Sequence, residues 1–255
     1  MGPSSPPPGW ADSWQRSWDR LEDALVGERG ARIAALLDVV EAVAGPAPTV
    51  VDLGCGPGSV TRRLLDRLPR ARCLGVDVDP VLLTLASATF AADGRVRLVR
   101  ADLRDPTWAD ALPERRVDAV VTATALHWLA AGTVTRLYRD LATLIRPGGV
   151  FAHAEQMPLG GMPRLGPALA AVEAGRRPGP AAGRRRWDAW WRRVAGDPHL
   201  AAAAVERRAV FAAGYPAEEF SPPAEWHLAA LADAGFTEAG VVWRSGQAGV
   251  VAALR

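Results

Sequence analysis

An apolar run, Val50-Val51-Asp52-Leu53, breaks into Gly54-Cys55-Gly56-Pro57-Gly58 and passes at once into a helix-like segment from Ser59. Three glycines at alternate positions between a buried strand and a helix constrain the fold strongly. Without a Cβ, the backbone can turn tightly and come close to a ligand. A strand feeding a helix through such a loop belongs to an open sheet that binds ligands at the carboxyl ends of its strands. The free N–H groups of the following helix point at the turn, where a phosphate or a carboxylate can sit.

The rest of the chain repeats the alternation. Strand-like runs are predicted at 49–53, 73–78, 96–101, 117–122 and 150–154, with helix-like segments at 59–68, 80–92, 107–112 and 132–145 between them. In 59–68, Val60, Leu64, Leu65 and Leu68 share one face while Arg62, Arg63 and Asp66 take the other. Before the first strand, Trp14, Trp18, Leu21 and Leu25, then Ile33, Leu36, Leu37, Val40 and Val43, recur at helical spacing until Gly45-Pro46. Pro147-Gly148-Gly149 predicts a sharp stop before the fifth strand. From 156 to 220 the pattern becomes proline, glycine and arginine with short helical pieces, among them Trp187, Trp190, Trp191 and Val194. Ser221-Pro222-Pro223 predicts a helix through Ala234 with serine as its N-cap. Two last strands, 238–244 and 248–254, flank the hairpin turn Ser245-Gly246-Gln247. The expected architecture is α/β: a doubly wound, Rossmann-like, seven-stranded sheet with a C-terminal antiparallel hairpin and a helical cap insertion. Its organisation would be a disordered tail at 1–9, a ligand-binding unit at 10–155 and 221–255, and a cap at 156–220.

At 255 residues and 49% apolar, the chain can bury one full core. Its net charge of +2 is too small to imply a nucleic-acid or membrane partner, and a pI near 8.9 leaves anionic substrates open. All thirty basic residues are arginine, which genome composition explains, and Arg184-Arg185-Arg186 and Arg192-Arg193 read as solvated helix faces, with an anionic substrate or nucleic acid as the alternative. Cys55 and Cys73 fall in a loop and a strand, which suits neither a disulfide framework nor a metal site and fits a reducing cytoplasm. Residues 2–9 lack the basic and apolar stretches of a secretion signal, and no apolar run reaches about 18 residues, so a soluble protein is expected.

Nineteen residues past Gly58, Asp77 closes the second strand in Gly75-Val76-Asp77-Val78-Asp79-Pro80. A carboxylate there can accept both hydroxyl protons of a ribose. Asp102, in Arg100-Ala101-Asp102-Leu103, is placed to accept from an adenine amino group. A nicotinamide dinucleotide would use the same acid at 77, and an NAD(P)-dependent oxidoreductase remains a rival. Glycines at 54, 56 and 58 do not, however, follow the Gly-x-Gly-x-x-Gly spacing of such enzymes.

Taken in order, these motifs resemble those of the class I S-adenosylmethionine-dependent methyltransferases, over residues 48–155 and the terminal hairpin. The stretch Thr122-Ala123-Thr124-Ala125-Leu126-His127-Trp128-Leu129 is similar to the fourth motif of the small-molecule members, including the trans-aconitate group. The resemblance implies S-adenosyl-L-methionine as cofactor. Asp52, Gly54, Gly56 and Gly58 would face its methionine moiety, Asp77 its ribose, Val78 its adenine plane, and Asp102 with Leu103 the adenine edge, with Thr122 completing the set. It implies transfer to a small organic acceptor, with no metal and no base-reading motif for nucleic acid. A donor-binding protein without turnover would keep the same glycines and Asp77.

Displacement at a sulfonium needs alignment and a dry pocket, and a base only when the nucleophile carries a proton. His127, following the fourth strand, is the candidate base; the alternative is that it packs or hydrogen-bonds beneath the cap. His153, Glu155 and Gln156 end the fifth strand on the ligand-binding edge, and Glu155 joins His127 as a candidate acceptor contact. Trp14 with Trp18, and Trp191 with Trp187 and Trp190, would line an aromatic wall or simply pack. Tyr138 and Tyr215 are weaker candidates, and Arg29 and Arg32 would reach the donor carboxylate. The acceptor, the atom methylated and the oligomeric state are not encoded in any motif.

Overall fold

The apolar run ahead of the glycine loop forms strand β1 (Thr49–Leu53), buried along its whole length. In the computed structural model, which describes residues 5–176, 179–212 and 219–255, it is an inner strand, third in order, of a seven-stranded sheet. The other strands are β2 (Arg72–Asp77), β3 (Val96–Arg100), β4 (Val117–Ala123), β5 (Ile145–Gln156), β6 (Glu238–Ser245) and β7 (Ala248–Leu254), in the order β3-β2-β1-β4-β5-β7-β6. The first five run parallel, and β7 pairs antiparallel with both β5 and β6. Seven strands and the terminal hairpin match the sequence expectation.

Alternation along the strands builds two cores. Val50, Cys73, Ala119, Val121, Ala152 and Val250 pack under α2 (Arg29–Ala44) and α3 (Ser59–Arg67). Val51, Leu53, Val76, Val120, Phe151 and Val251 pack under α5 (Ala131–Leu144) and α9 (Ala224–Asp233). Strands buried on both faces need apolar residues at nearly every position, as these have.

A third cluster stands apart from the sheet. Trp14, Trp18 and Leu21 of α1 (Trp10–Leu25) pack against Val81, Leu82 and Leu85 of α4 (Pro80–Thr89), Trp190 and Val194 of α7 (Pro180–Ala195), and Leu200. The neighbouring α8 (Ala201–Ala212) docks on α4 through Arg207, whose Nε donates to Asp79 Oδ2 at 2.6 Å. Only α6 (Leu165–Gly175) sits elsewhere, where Glu173 accepts from the Gln247 N–H in the β6–β7 turn.

Three local expectations are corrected. Segment 107–112 is a single 3-10 turn, Trp108–Ala111. Ser221 does not cap α9, which begins at Ala224 with Pro223 in the cap position. A proline forces the residue before it into extended backbone, so two in succession delay the helix until both are passed. Pro147-Gly148-Gly149 does not stop the chain ahead of β5 but lies inside it as a bulge, shifting the register from Val117↔Ile145 to Ala119↔Val150. Tyr215, and residues 1–4 of the tail, lie outside the described residues.

At Gly54 the backbone has φ +66°, and a Cβ there would overlap the Ala125 methyl group. Gly54→Ala is therefore expected to lower the unfolding free energy by about 2–4 kcal/mol, the sum of left-handed strain and overpacking. Gly235, at φ +95° with no neighbour within 4 Å, should lose only about 1 kcal/mol as alanine. Urea denaturation of both variants checks this, and equal losses would contradict the close approach of β1 and β4.

Candidate active site

The sheet order reverses between β1 and β4, where chain connections depart in opposite directions and leave a crevice at the carboxyl ends. The glycine loop after β1 forms one wall. Gly54 N and Cys55 N donate to Val76 O at 2.8 and 3.1 Å, and Gly56 N donates to Asp77 Oδ2 at 2.8 Å. The other oxygen of Asp77 accepts from Asp79 N at 2.8 Å, so one carboxylate ties the loop to the turn after β2. Burial pushes its pKa up to about 6, and the backbone N–H groups that solvate it offset this only in part. The Gly56, Asp79 and Val78 N–H groups surround this carboxylate, and its roughly four lone-pair directions leave room for a hydroxyl donor.

Helix α1 lies on this loop. Gln15 Nε2 donates to Ser59 Oγ at 3.0 Å, and that hydroxyl donates to Asp19 Oδ1 at 2.7 Å. Trp18 comes to 4.0 Å from where a Cβ on Gly56 would stand. Gln15 and Asp19 went unnoticed in the sequence. Their one signal was a polar stripe at i, i+4 beside the Trp14–Trp18 stripe, which any solvated helix also shows.

Several expected cofactor contacts have other duties. Asp52 shares the face of Val50, beneath α3, where its Oδ2 accepts from Thr61 N at 3.1 Å and Thr61 Oγ1 at 2.7 Å. It is 1% exposed, and burial raises its pKa to about 7 despite these bonds. One oxygen of the side chain thus braces β1 against α3, and the charge of Asp77 acts on the same carboxylate. Thr122, fully buried, donates its hydroxyl to Leu53 O at 2.9 Å, joining β4 to β1. Asp102, at the end of β3, is engaged by Arg104, with Nη2 at 2.7 Å and the backbone N–H at 2.9 Å; partial burial opposes ionisation, but these contacts hold its pKa below the usual range. Leu103 packs on the α5-side core, and Val78 is half-buried beside Asp77.

The opposite wall is the turn after β4. Thr124 holds φ +50°, rare for a β-branched residue, with its N–H bonded to Ala154 O at 3.0 Å. The short 3-10 turn Leu126–Trp128 then presents His127. Its Nδ1 meets Glu155 Oε2 at 2.9 Å. A nitrogen bonded to a carboxylate must carry hydrogen, so the neutral ring keeps its lone pair on Nε2, the form a general base needs. Burial opposes the charged ring, but Glu155, Glu219 and Glu22 outweigh it and hold the His127 pKa above its ordinary value.

Behind Glu155 stands a buried polar chain that alternation along β5 creates. Phe151, His153 and Glu155 fall on the α5/α9 face, and His153 Nε2 lies 3.9 Å from Glu155 Oε2. Tyr138 OH of α5 reaches His153 Nδ1 at 3.4 Å and His227 Nδ1 of α9 at 2.8 Å. Burial, with His153 beside it, pushes His227 down to about 3, so it is neutral where its Nδ1 shares a hydrogen bond with the phenol. Glu155 is held well below the carboxylate range: burial opposes this, but His127 and His153 prevail.

The aromatic wall is not where the sequence suggested. Trp14 is 4% exposed and donates its indole N–H to Asp197 Oδ2 at 2.9 Å, with Arg193 stacked 4.1 Å over its ring. Trp191 is covered by Arg207 at 3.6 Å. Both belong to the packing between α1, α7 and α8. Trp128 is the aromatic residue beside His127, with ring centroids 4.9 Å apart. Arg29 pairs with Asp19 and Asp23 at 3.0 Å each, and Arg32 Nη2 donates to Gln156 Oε1 at 3.1 Å. Among the described residues no group of acids, histidines and cysteines is arranged to hold a metal, and no helix is long and apolar enough to cross a membrane.

Comparison with known proteins converges on this crevice. A family model described as a methyltransferase domain matches residues 50–149. A trans-aconitate 2-methyltransferase of Azoarcus sp. (strain BH72) is 41% identical over 112 residues, covering 44% of this chain and 40% of that protein. One from Methylobacterium nodulans is 33% identical over 186 residues, covering 68% and 66%. The matches with the first of these relatives thus span about half of their length or less. Human N-acetylserotonin methyltransferase in complex with SAM shares the fold at TM-score 0.59 and 18% identity, over 95% of this chain and 55% of that one.

Two outcomes are expected. The folded pKa of Asp52 lies above its unfolded value, so its contribution to stability is complete below about pH 4 and is lost as pH rises to about 7. Relative to wild type, Asp52→Asn should therefore gain more than about 1 kcal/mol of stability between pH 4 and pH 8 in urea titrations. For the dyad, Glu155→Gln should lower the pKa of His127 followed by histidine NMR; an unmoved titration would dissolve the pairing.

Proposed function

Because this chain belongs to the class I S-adenosylmethionine-dependent methyltransferases, we propose that it transfers the donor's methyl group to a small-molecule acceptor held between the glycine loop and His127. The observation that carries the reading is the His127–Glu155 pair, 2.9 Å apart, at the carboxyl edge opposite the glycine loop.

The residues present fit such a donor. Asp77 keeps lone pairs for the ribose hydroxyls, the glycines leave room for close approach, and the α3 N-terminus favours the methionine carboxylate. When bound, the donor supplies an electrophilic methyl group. The chain does the rest: α1 and the glycine loop exclude water, and His127 Nε2 takes the acceptor proton. Glu155 keeps the ring in the right tautomer and stabilises the imidazolium. Within this reading, residues 10–155 and 221–255 form the donor-binding unit, and α7 and α8 of the 156–220 segment cover its helices α1 and α4. Two buried free thiols, Cys55 and Cys73, favour a reducing cytoplasm as its compartment.

Isothermal titration should show binding of S-adenosylhomocysteine and none of NADH; preference for the dinucleotide would end the proposal. Asp77→Ala should weaken that binding by about 1–3 kcal/mol, through loss of charged hydrogen bonds. His127→Gln should leave it unchanged while lowering methyl transfer to a protic acceptor by roughly 100-fold or more.

A further inference from the structure

A phenol separates two imidazoles in the core behind Glu155. Tyr138 OH lies 2.8 Å from His227 Nδ1 and 3.4 Å from His153 Nδ1, and the two rings meet edge to face with centroids 4.9 Å apart. His153 is fully buried and His227 is 2% exposed. Neither Nε2 has a hydrogen-bond partner among the described residues, and that of His153 stands 3.9 Å from Glu155 Oε2. The same oxygen meets His127 Nδ1 at 2.9 Å, while Glu155 Oε1 accepts from Gln156 N at 2.9 Å.

A phenol carries a single hydrogen, so it cannot donate to both rings. One Nδ1 accepts from it, and the other must carry hydrogen and donate to the phenol oxygen; otherwise two lone pairs would face each other in the core. Neutral rings then permit two orders. In the first, hydrogens point from His227 to Tyr138 to His153, and the hydrogen of His153 sits on Nε2, toward Glu155. In the second every hydrogen is reversed, and His153 turns an Nε2 lone pair on the same carboxylate. The spacing at the phenol does not separate the two, because O–H···N and N–H···O bonds have similar lengths. The charge on Glu155 does. Burial opposes that charge, but His127 and His153 hold the carboxyl well below its usual range, so it is ionised. A lone pair set against a buried anion is repelled and an N–H is attracted, with little water to screen either. The first order is therefore favoured.

We propose that His153 carries its hydrogen on Nε2 and is a positioning residue for His127, acting across the 3.9 Å gap through Glu155. No proton moves along the row. The effect is electrostatic: the positive edge of an oriented imidazole faces the carboxylate that His127 also engages. Burial opposes a charged His127 ring, while Glu155, Glu219 and Glu22 favour it. The N–H of His153 works against those acids and keeps the His127 lone pair free closer to neutral pH. The use of that base rests on the methyl-transfer reading; the place of the hydrogen on His153 does not.

Long-range nitrogen–proton NMR of the wild-type chain at mildly alkaline pH reads the tautomers directly. His153 should be the Nε2–H form and His227 the Nδ1–H form. Hydrogen on Nδ1 of His153, or on both of its nitrogens, overturns the proposal. In His153→Phe, the titration of His127 should move up by about one pH unit. His227→Phe disturbs the same packing but leaves the His153 N–H in place, so there the shift should stay under about a third of that. A fall or no shift in His153→Phe, or equal shifts in the two variants, overturns the positioning role. Should neither variant fold, the wild-type tautomers decide. Titration with S-adenosylhomocysteine reports separately on methyl transfer: absence of binding would end that reading and leave the tautomers as they are.

Discussion

One carboxylate organises the crevice. Asp77 holds Gly56 N–H with one oxygen and Asp79 N–H with the other, fixing the glycine loop against the turn after β2. Hydrogen bonds to a charged group are worth about 1.5–3 kcal/mol each, yet burial still wins and pushes the group up to about 6. The site is therefore incompletely solvated from inside the protein. A hydroxyl donor set against it would favour the ionised form, which suits the sugar contact proposed for Asp77.

The two cores give the strands different chemical meanings on their two faces. Under α2 and α3, Ala152 and Ala154 of β5 are small and apolar. Under α5 and α9, the same strand carries Phe151, His153 and Glu155, grading from ring to imidazole to carboxylate toward the crevice. The dyad thus stands at the crevice end of a buried polar row whose inner end, Tyr138 and His227, is packed into the core, with His153 Nε2 at 3.9 Å from Glu155 and not hydrogen-bonded to it.

Much of this was legible in the chain. Strand β1, the glycine loop and the terminal hairpin followed from periodicity and spacing, because each depends on residues adjacent in sequence, and Asp77 and His127 stand at the strand ends where that reading put them. What could not be read depends on what lies above a residue. That Asp52 also anchors α3 through Thr61 shows only once the helix lies over it. Trp14 shares a stripe of α1 with Trp18, and Trp191 a stripe of α7 with Trp187, and only the docking of α7 and α8 decides that Trp18 meets the loop while Trp14 and Trp191 are covered. Asp102 is claimed by Arg104, two residues on, a pairing that an exposed turn would show equally.

Thr124 shows what the site asks of the fold. A β-branched residue at φ +50° holds backbone energy of order 1–3 kcal/mol, restrained by its bond to Ala154 O and by the Ala125–Gly54 contact. Three residues later stands the imidazole. Rigidity of aim and resistance to unfolding pull against each other in this turn: a relaxed sequence would make a sturdier protein with a wandering base.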